Sequence, residues 1–412
     1  MIGEGDLGAA QPERGKEDRM RTLLLTRAQT VLRGATTTTR KTGRLQFIDF
    51  TRGVVMAIMA WDHASGFWNS SHHGGEGVMG AMPPFVNLTW FLLRFVSHYC
   101  APTFIFLAGT VLALSAAKRL DNGESQWSVS SHMMKRGIAL LILEALVVAP
   151  AFGASRFYFG VIACIGVCLI ILSVARRLPP IVILTLSLII VLNHPYLDLG
   201  FIPNDTWWGW YLRVIIHEPN SQWPPFTGLY PVIPWIGVMG LGWSLGTHLT
   251  GLNGDETKQL KRPLIMAGVS CLVAWFVVRA LNGYGNLLPR LGNTAIDWLY
   301  VSKYPPSLAF LLWTLGGMCL IMALGLELQD RPNFNGGLTG MIQTFGRNPL
   351  FFYLAHLWLY RLRPPGVPRY NFSLPLVPTL GLWLLGLLIL WQLCIRYERL
   401  KRAHPDSPLK YI

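Results

Sequence analysis

Apolar residues run along this chain in long blocks separated by short polar stretches. The blocks are 47–68, 88–116, 137–152, 157–175, 178–194, 230–250, 263–282, 306–327, 346–362 and 374–395. A run of about 20 apolar residues crosses a bilayer as a helix. Within lipid, a helix satisfies its own backbone groups. The pattern predicts an all-α fold, a polytopic transmembrane helical bundle with about ten spans. The third and fifth blocks are short, which suits helices that tilt or bury against neighbours. Residues 1–46 are polar, with nine Lys/Arg against five Asp/Glu, and hold no apolar leader core. Within them "MRTLLLTRAQTVLR" reads either as a basic amphipathic surface helix or as a flexible cytoplasmic tail. The chain thus divides into a basic tail (1–46), a membrane domain (47–396) and a C-terminal tail (397–412).

Composition agrees. The chain is 52% hydrophobic and 14% charged, where a soluble domain is nearer about 25% charged. The net charge of +14 gains meaning once it is located. With the N-terminus inside, 25 of the 35 Lys/Arg fall on the inner side, seven on the outer side, and Arg52, Arg94 and Arg279 within spans. Cytoplasmic loops carry such an excess, so both termini are expected in the cytoplasm. The charge then reads as membrane flanks, not as a nucleic-acid footprint. The six cysteines all sit in apolar runs without metal-ligand spacing, so neither a disulfide framework nor a metal site is expected. Sequons begin at Asn69, Asn87, Asn204 and Asn371, and all fall outside. They matter only in a eukaryotic source. No eukaryotic sorting signal stands out, so a bacterial plasma (inner) membrane is the expected location.

Candidate chemistry begins in "IDFTRGVVMAIMAWDH", residues 48–63, which places Asp49, Arg52, Asp62 and His63 in the first block. Ionisable groups at membrane depth are costly and mark functional paths. On a helix of about 100° per residue with Asp49 at zero, Arg52 falls near about 300° and His63 near about 320°, whereas Asp62 points to about 220°. The rise from Asp49 to His63 is roughly 21 Å. One stripe therefore offers a charged mouth near the cytoplasm and an imidazole far across the bilayer. Acyl-coenzyme A has the matching shape, with phosphates at one end and a thioester at the other. Arg52, joined by Arg136 and beside Asp49, would hold the phosphates. The alternative is an Asp49–Arg52 ion pair, with His63 bonded to a backbone carbonyl. Further groups are His98 in the second block, Glu144 in the third, which needs a partner, and His356 in "GRNPLFFYLAHLWLY". In "FWNSSHHGGEG", His72 and His73 either reach back over an outer-facing site or stay solvated. In "DTWWGWYLRVIIHEP", Trp208 and its neighbours either stack on a sugar ring or form an interfacial belt.

Several blocks, taken in order from about 44 to 400, resemble one family. "RLQFIDFTRGVVMAIMAWDH" is similar to the opening helix of the DUF1624 family, relatives of heparan-alpha-glucosaminide N-acetyltransferase. "RFVSHYCAPTFIFLAGTVLAL", "KRGIALLILEALVV", "YPVIPWIGVMGLGWSLG", "KYPPSLAFLLWTLG" and "FGRNPLFFYLAHLWLY" follow in family order. The resemblance implies a transmembrane acyltransferase that draws on acetyl-CoA. In the lysosomal member, the acetyl group passes across the membrane to a terminal glucosamine amine. Aligned from Asp49, Arg52 and Gly53, the family's catalytic histidine falls near His72–Gly74, which singles out His72 and His73. Broader membrane acyltransferases carry an Arg and a deep His on the first helix, which singles out His63.

The expected enzyme has His63 as general base, with Asp62 or Glu144 orienting an imidazole. Asp49, Arg52 and Arg136 bind the donor. His98, His356 and Trp208 face an acceptor amine or hydroxyl, on a small molecule or glycan. No metal is expected, and a homodimer is compatible with the chain. Two rivals stay open. One is a proton-coupled transporter with Asp49, Glu144, His63 and His356 as relay. The other is a non-catalytic membrane protein that kept the fold.

Overall fold

The computed structural model describes residues 45–69, 71–72, 74, 76–77, 85, 87–154, 158–218, 227–362, 373–404 and 407. The tail through residue 44, and His73, lie outside the described residues.

Helices account for most of the described chain. α1 is Gln46–Trp68. α2, Leu88–Phe95, passes through a 3-10 turn at Val96–Tyr99 into α3, Cys100–Asp121. α4, Gln126–Leu143, continues through a π-helical turn at Glu144–Val148 into α5, Ala149–Phe152. The two-residue strand β1, Tyr158–Phe159, leads into α6, Val161–Ala175, and α7, Pro180–Asn193. α8 is Trp207–Ile216, β2 is Thr227–Gly228 and α9 is Val232–Thr250. α10, Gly254–Gln259, adjoins α11, Lys261–Leu281. α12 is Ala295–Leu299 and α13 is Leu308–Leu328. α14, Gly337–Arg347, α15, Pro349–Arg361, and α16, Leu376–Ala403, complete the bundle. β1 and β2 pair in parallel, Tyr158 opposite Thr227 and Phe159 opposite Gly228.

Every apolar block read from the sequence falls on a helix. Among the described residues, Leu88–Asp121, Gly254–Leu281, Leu308–Leu328 and Leu376–Ala403 are long and apolar enough to cross a membrane. α6 and the run Pro180–Tyr196 are apolar but shorter. The protein is an integral membrane protein built from helices. α1 has the length, at 23 residues, but carries Asp49, Arg52 and Asp62. It tolerates them because protein surrounds it, in the form of α3, α13, α14, α15 and α16.

Two close crossings set the frame. An added Cβ at Gly53 would lie 1.8 Å from the Ile342 carbonyl oxygen, and one at Gly346 would lie 1.8 Å from that of Asp49. The backbones of α1 and α14 therefore touch, which fixes the height of Arg52. α3 and α9 meet the same way, with Gly242 against the Phe106 carbonyl. In lipid, small residues supply such contacts because helices gain nothing from excluding water there.

Local signals aim the remaining elements. Asn348 separates α14 from α15, its amide donating to Thr344 O at 2.9 Å and to Glu398 Oε1 at 2.8 Å. Pro349 then starts α15, a position where its missing N–H costs nothing. Ser307 caps α13, its hydroxyl accepting from Phe310 N at 3.1 Å.

Candidate active site

A cavity of about 610 Å³ lies among α1, α3, α4, α6 and α15. Arg52 and Arg136 line one end, and Asp62, His63, His72, Arg94 and Lys303 line the other. The rise along α1 separates Arg52 from His63 by roughly 16 Å. Between them the walls are apolar, with Met59, Ala101, Phe104 and Ala108.

His63 is held from two sides. Phe152 packs its ring edge-on at 5.4 Å between centroids. His356, fully buried on α15, lies behind, with its Nε2 2.7 Å from His63 Nδ1. The other nitrogen of His356, Nδ1, is 2.9 Å from the Phe352 carbonyl. A carbonyl only accepts, so His356 Nδ1 donates there. With one proton on each ring, His356 Nε2 accepts from His63 Nδ1–H. The lone pair of His63 is then on Nε2.

Asp62 joins the same end through Arg94. The guanidinium donates to Asp62 Oδ1 at 2.5 Å and to Ser97 Oγ at 3.3 Å. Its other edge forms a two-pronged bond to Glu76, at 2.7 and 2.9 Å. His98 lies behind Glu76 at 3.6 Å, and His72 lies 3.7 Å from Asp62. Burial opposes charge on Glu76, but Arg94 and His98 hold its carboxyl well below the usual range. Burial pushes the His72 imidazole below its ordinary value, more than Asp62 draws it back.

The expected residues are thus partly assembled. Arg52, Arg136, Asp62, His63 and His72 share the cavity, while His98 and His356 stand behind its wall. Asp49 is buried near the inner end without lining it. Trp208 is exposed on α8, away from the cavity. Glu144 finds a backbone partner, not an imidazole. Its Oε2 accepts from Ala163 N at 2.7 Å, so the carboxylate caps the start of α6. Arg52 donates to the Leu107 carbonyl at 3.1 Å, which ties its side chain to α3.

Glu76, Lys303 and the tyrosines of the outer end were not singled out from sequence. Tyr158, Tyr230, Tyr304 and Tyr353 all line it, the rings of Tyr230 and Tyr304 meeting edge-on at 5.5 Å. A signal existed in "KYPPS", where Pro305 and Pro306 interrupt the approach to an apolar block just after a lysine.

The stretch that builds most of this site has recognisable relatives. A family model described as heparan-alpha-glucosaminide N-acetyltransferase, catalytic, matches residues 44–280, more than half of the 412. The chain belongs to this heparan-alpha-glucosaminide N-acetyltransferase family. By class it is a membrane acetyltransferase, as the ordered sequence blocks led us to expect. Arg52, Asp62, His63, His72, Arg94 and Arg136 lie inside the region matched to the acetyltransferase family, and Lys303, Tyr353 and His356 lie beyond it. No curated protein matches the chain.

Proposed function

We propose that this membrane acetyltransferase moves the acetyl group of acetyl-CoA, taken from the cytoplasm, to an amine or hydroxyl at the outer face, with a sugar as acceptor. One observation carries this function: a single cavity joins two guanidinium groups to an imidazole roughly 16 Å further along α1. Arg136 has no hydrogen-bond or ion-pair partner among the described residues, so its charge is available to donor phosphates. The apolar middle suits the uncharged arm that links those phosphates to the thioester. The clustered tyrosines offer ring faces for a sugar. The excess of Lys/Arg on one set of loops supports about ten crossings, with both termini on the donor side.

In this mechanism His63 is the general base. Its Nε2 takes the acceptor proton as the acceptor attacks the thioester carbonyl. His356 keeps that nitrogen unprotonated by accepting from Nδ1. Asp62 is neutralised by Arg94 and sets the polarity of the outer end. Rates of acetyl transfer from acetyl-CoA to glucosamine by purified protein test the assignment. His63→Ala is expected to lower kcat by about 100-fold or more, and His72→Ala by far less. A His63→Ala protein as fast as wild type would exclude His63 as base.

A further inference from the structure

Lys303 lies off every helix, in the segment between α12 and α13. This segment turns back into the bundle, so that Val301, Ser302 and Lys303 are 1%, 0% and 5% exposed. The turn is tied on both sides. The Lys303 and Tyr304 amides donate to the Glu76 carbonyl at 2.8 and 3.2 Å. Ser302 Oγ donates to Pro305 O at 2.8 Å, and Ser307 N donates to Ser302 O at 2.9 Å. Held this way, the side chain lines the cavity. Its ammonium lies 5.3 Å from the centre of the Tyr304 ring, and no described residue hydrogen-bonds or ion-pairs with it.

Arg94 is different. Its guanidinium is shared among Asp62, Glu76 and Ser97. Lys303 lines the same cavity as Asp62 and His63, and its turn is tied to Glu76, which in turn binds Arg94, so it belongs to the same end. A buried ammonium without a bonded partner is costly to keep. The cost is offset if negative charge appears beside it during the reaction.

We propose that Lys303 is a catalytic residue, its ammonium stabilising the oxyanion that forms on the thioester carbonyl. This assignment rests on the acetyl-CoA function above. The acceptor lone pair bonds to the carbonyl carbon, and the C=O π pair moves onto oxygen, facing Lys303 Nζ. The acceptor proton goes to His63 Nε2. As the carbonyl re-forms, the C–S bond breaks and its electron pair leaves on sulfur. The proton from His63 completes the CoA thiol, so charge and protons balance. A cation fixed in advance in a water-poor site acts on developing charge without reorganising.

The test uses the full-length protein in detergent, with acetyl-CoA as donor and glucosamine or water as acceptor. Lys303→Met is expected to lower kcat about 100-fold or more, with KM for both substrates changed less than about threefold. Lys303→Arg is expected to recover part of the rate. Calorimetry with CoA is expected to show unchanged binding in Lys303→Met, which reports an intact fold. A loss confined to the KM of glucosamine would make Lys303 an acceptor-binding group and overturn the proposal. Equal rates in Lys303→Met and wild type would overturn it as well. If Lys303→Met does not fold, Lys303→Gln replaces it, and equal rates for the Gln and Arg variants would be decisive against the proposal. Wild-type protein that neither binds CoA nor consumes acetyl-CoA would remove the acetyl-CoA function itself, and Lys303's role with it. Wild type alone gives that result, so the two failures are distinguishable.

Discussion

His356 is 293 positions from His63 in the chain, yet their ring nitrogens lie 2.7 Å apart. Its bond to the Phe352 carbonyl gives the pair a direction and leaves the lone pair of His63 on Nε2. His356→Ala is therefore expected to lower kcat about 10-fold to about 100-fold, with little change in KM for acetyl-CoA. Its pH–rate profile should shift, since His63 would then be free to exchange tautomers; an unchanged profile would make His356 a packing residue. The loop groups make a second prediction, about stability. The imidazole of His72 is below its ordinary value of 6.5 in the folded protein, so the unfolded chain takes the proton first. Stability should thus fall as pH drops below about 6.5. Glu76 adds to this lower down, because its depressed carboxyl contributes above the ordinary 4.5 and loses that contribution as pH falls. Thermal unfolding between about pH 7.5 and about pH 5.5 should show a shallower loss in His72→Gln than in wild type.

Between helices, the touching backbones of α1 and α14 leave no room for a side chain. Gly53→Val should destabilise the protein by about 1–3 kcal/mol or more, read as a lower melting temperature in detergent. It should also weaken CoA binding, because Arg52 is the preceding residue. The helices were legible because each apolar block has the length and composition of one. The stripe of Arg52 and His63 was legible too, since a 3.6-residue period puts both on one face. Asp62 broke that logic. Its computed direction on the wheel points away, yet the cavity curves around α1 far enough to include it, with Arg94 as the link. Glu144 was read as needing a side-chain partner, and it met the unsatisfied N–H groups that open α6 instead. Neither outcome follows from spacing within one helix, because both depend on what packs alongside. Lys303 shows the same limit. A lone lysine before an apolar block reads as a membrane-surface anchor, and the turn that carries it inward is held by Glu76 from a distant loop.

Across the whole molecule, one cavity carries its own charged groups at its two extremities and apolar walls between them. Arg136→Ala is expected to raise the Kd for CoA about 10-fold, with the loss shrinking at high salt because exposed phosphate contacts are screened. Calorimetry at two ionic strengths checks both. The apolar stretch of Met59, Ala101, Phe104 and Ala108 has a further consequence. A passage that joins the two sides of a bilayer would short-circuit its ion gradients if it were wet throughout. An ion entering this apolar section would have to shed its hydration with nothing polar to replace the lost water. Were the cavity open to both faces, the same residues that would grip a greasy linker would also act as insulation, keeping the membrane electrically tight between turnovers without a separate gate.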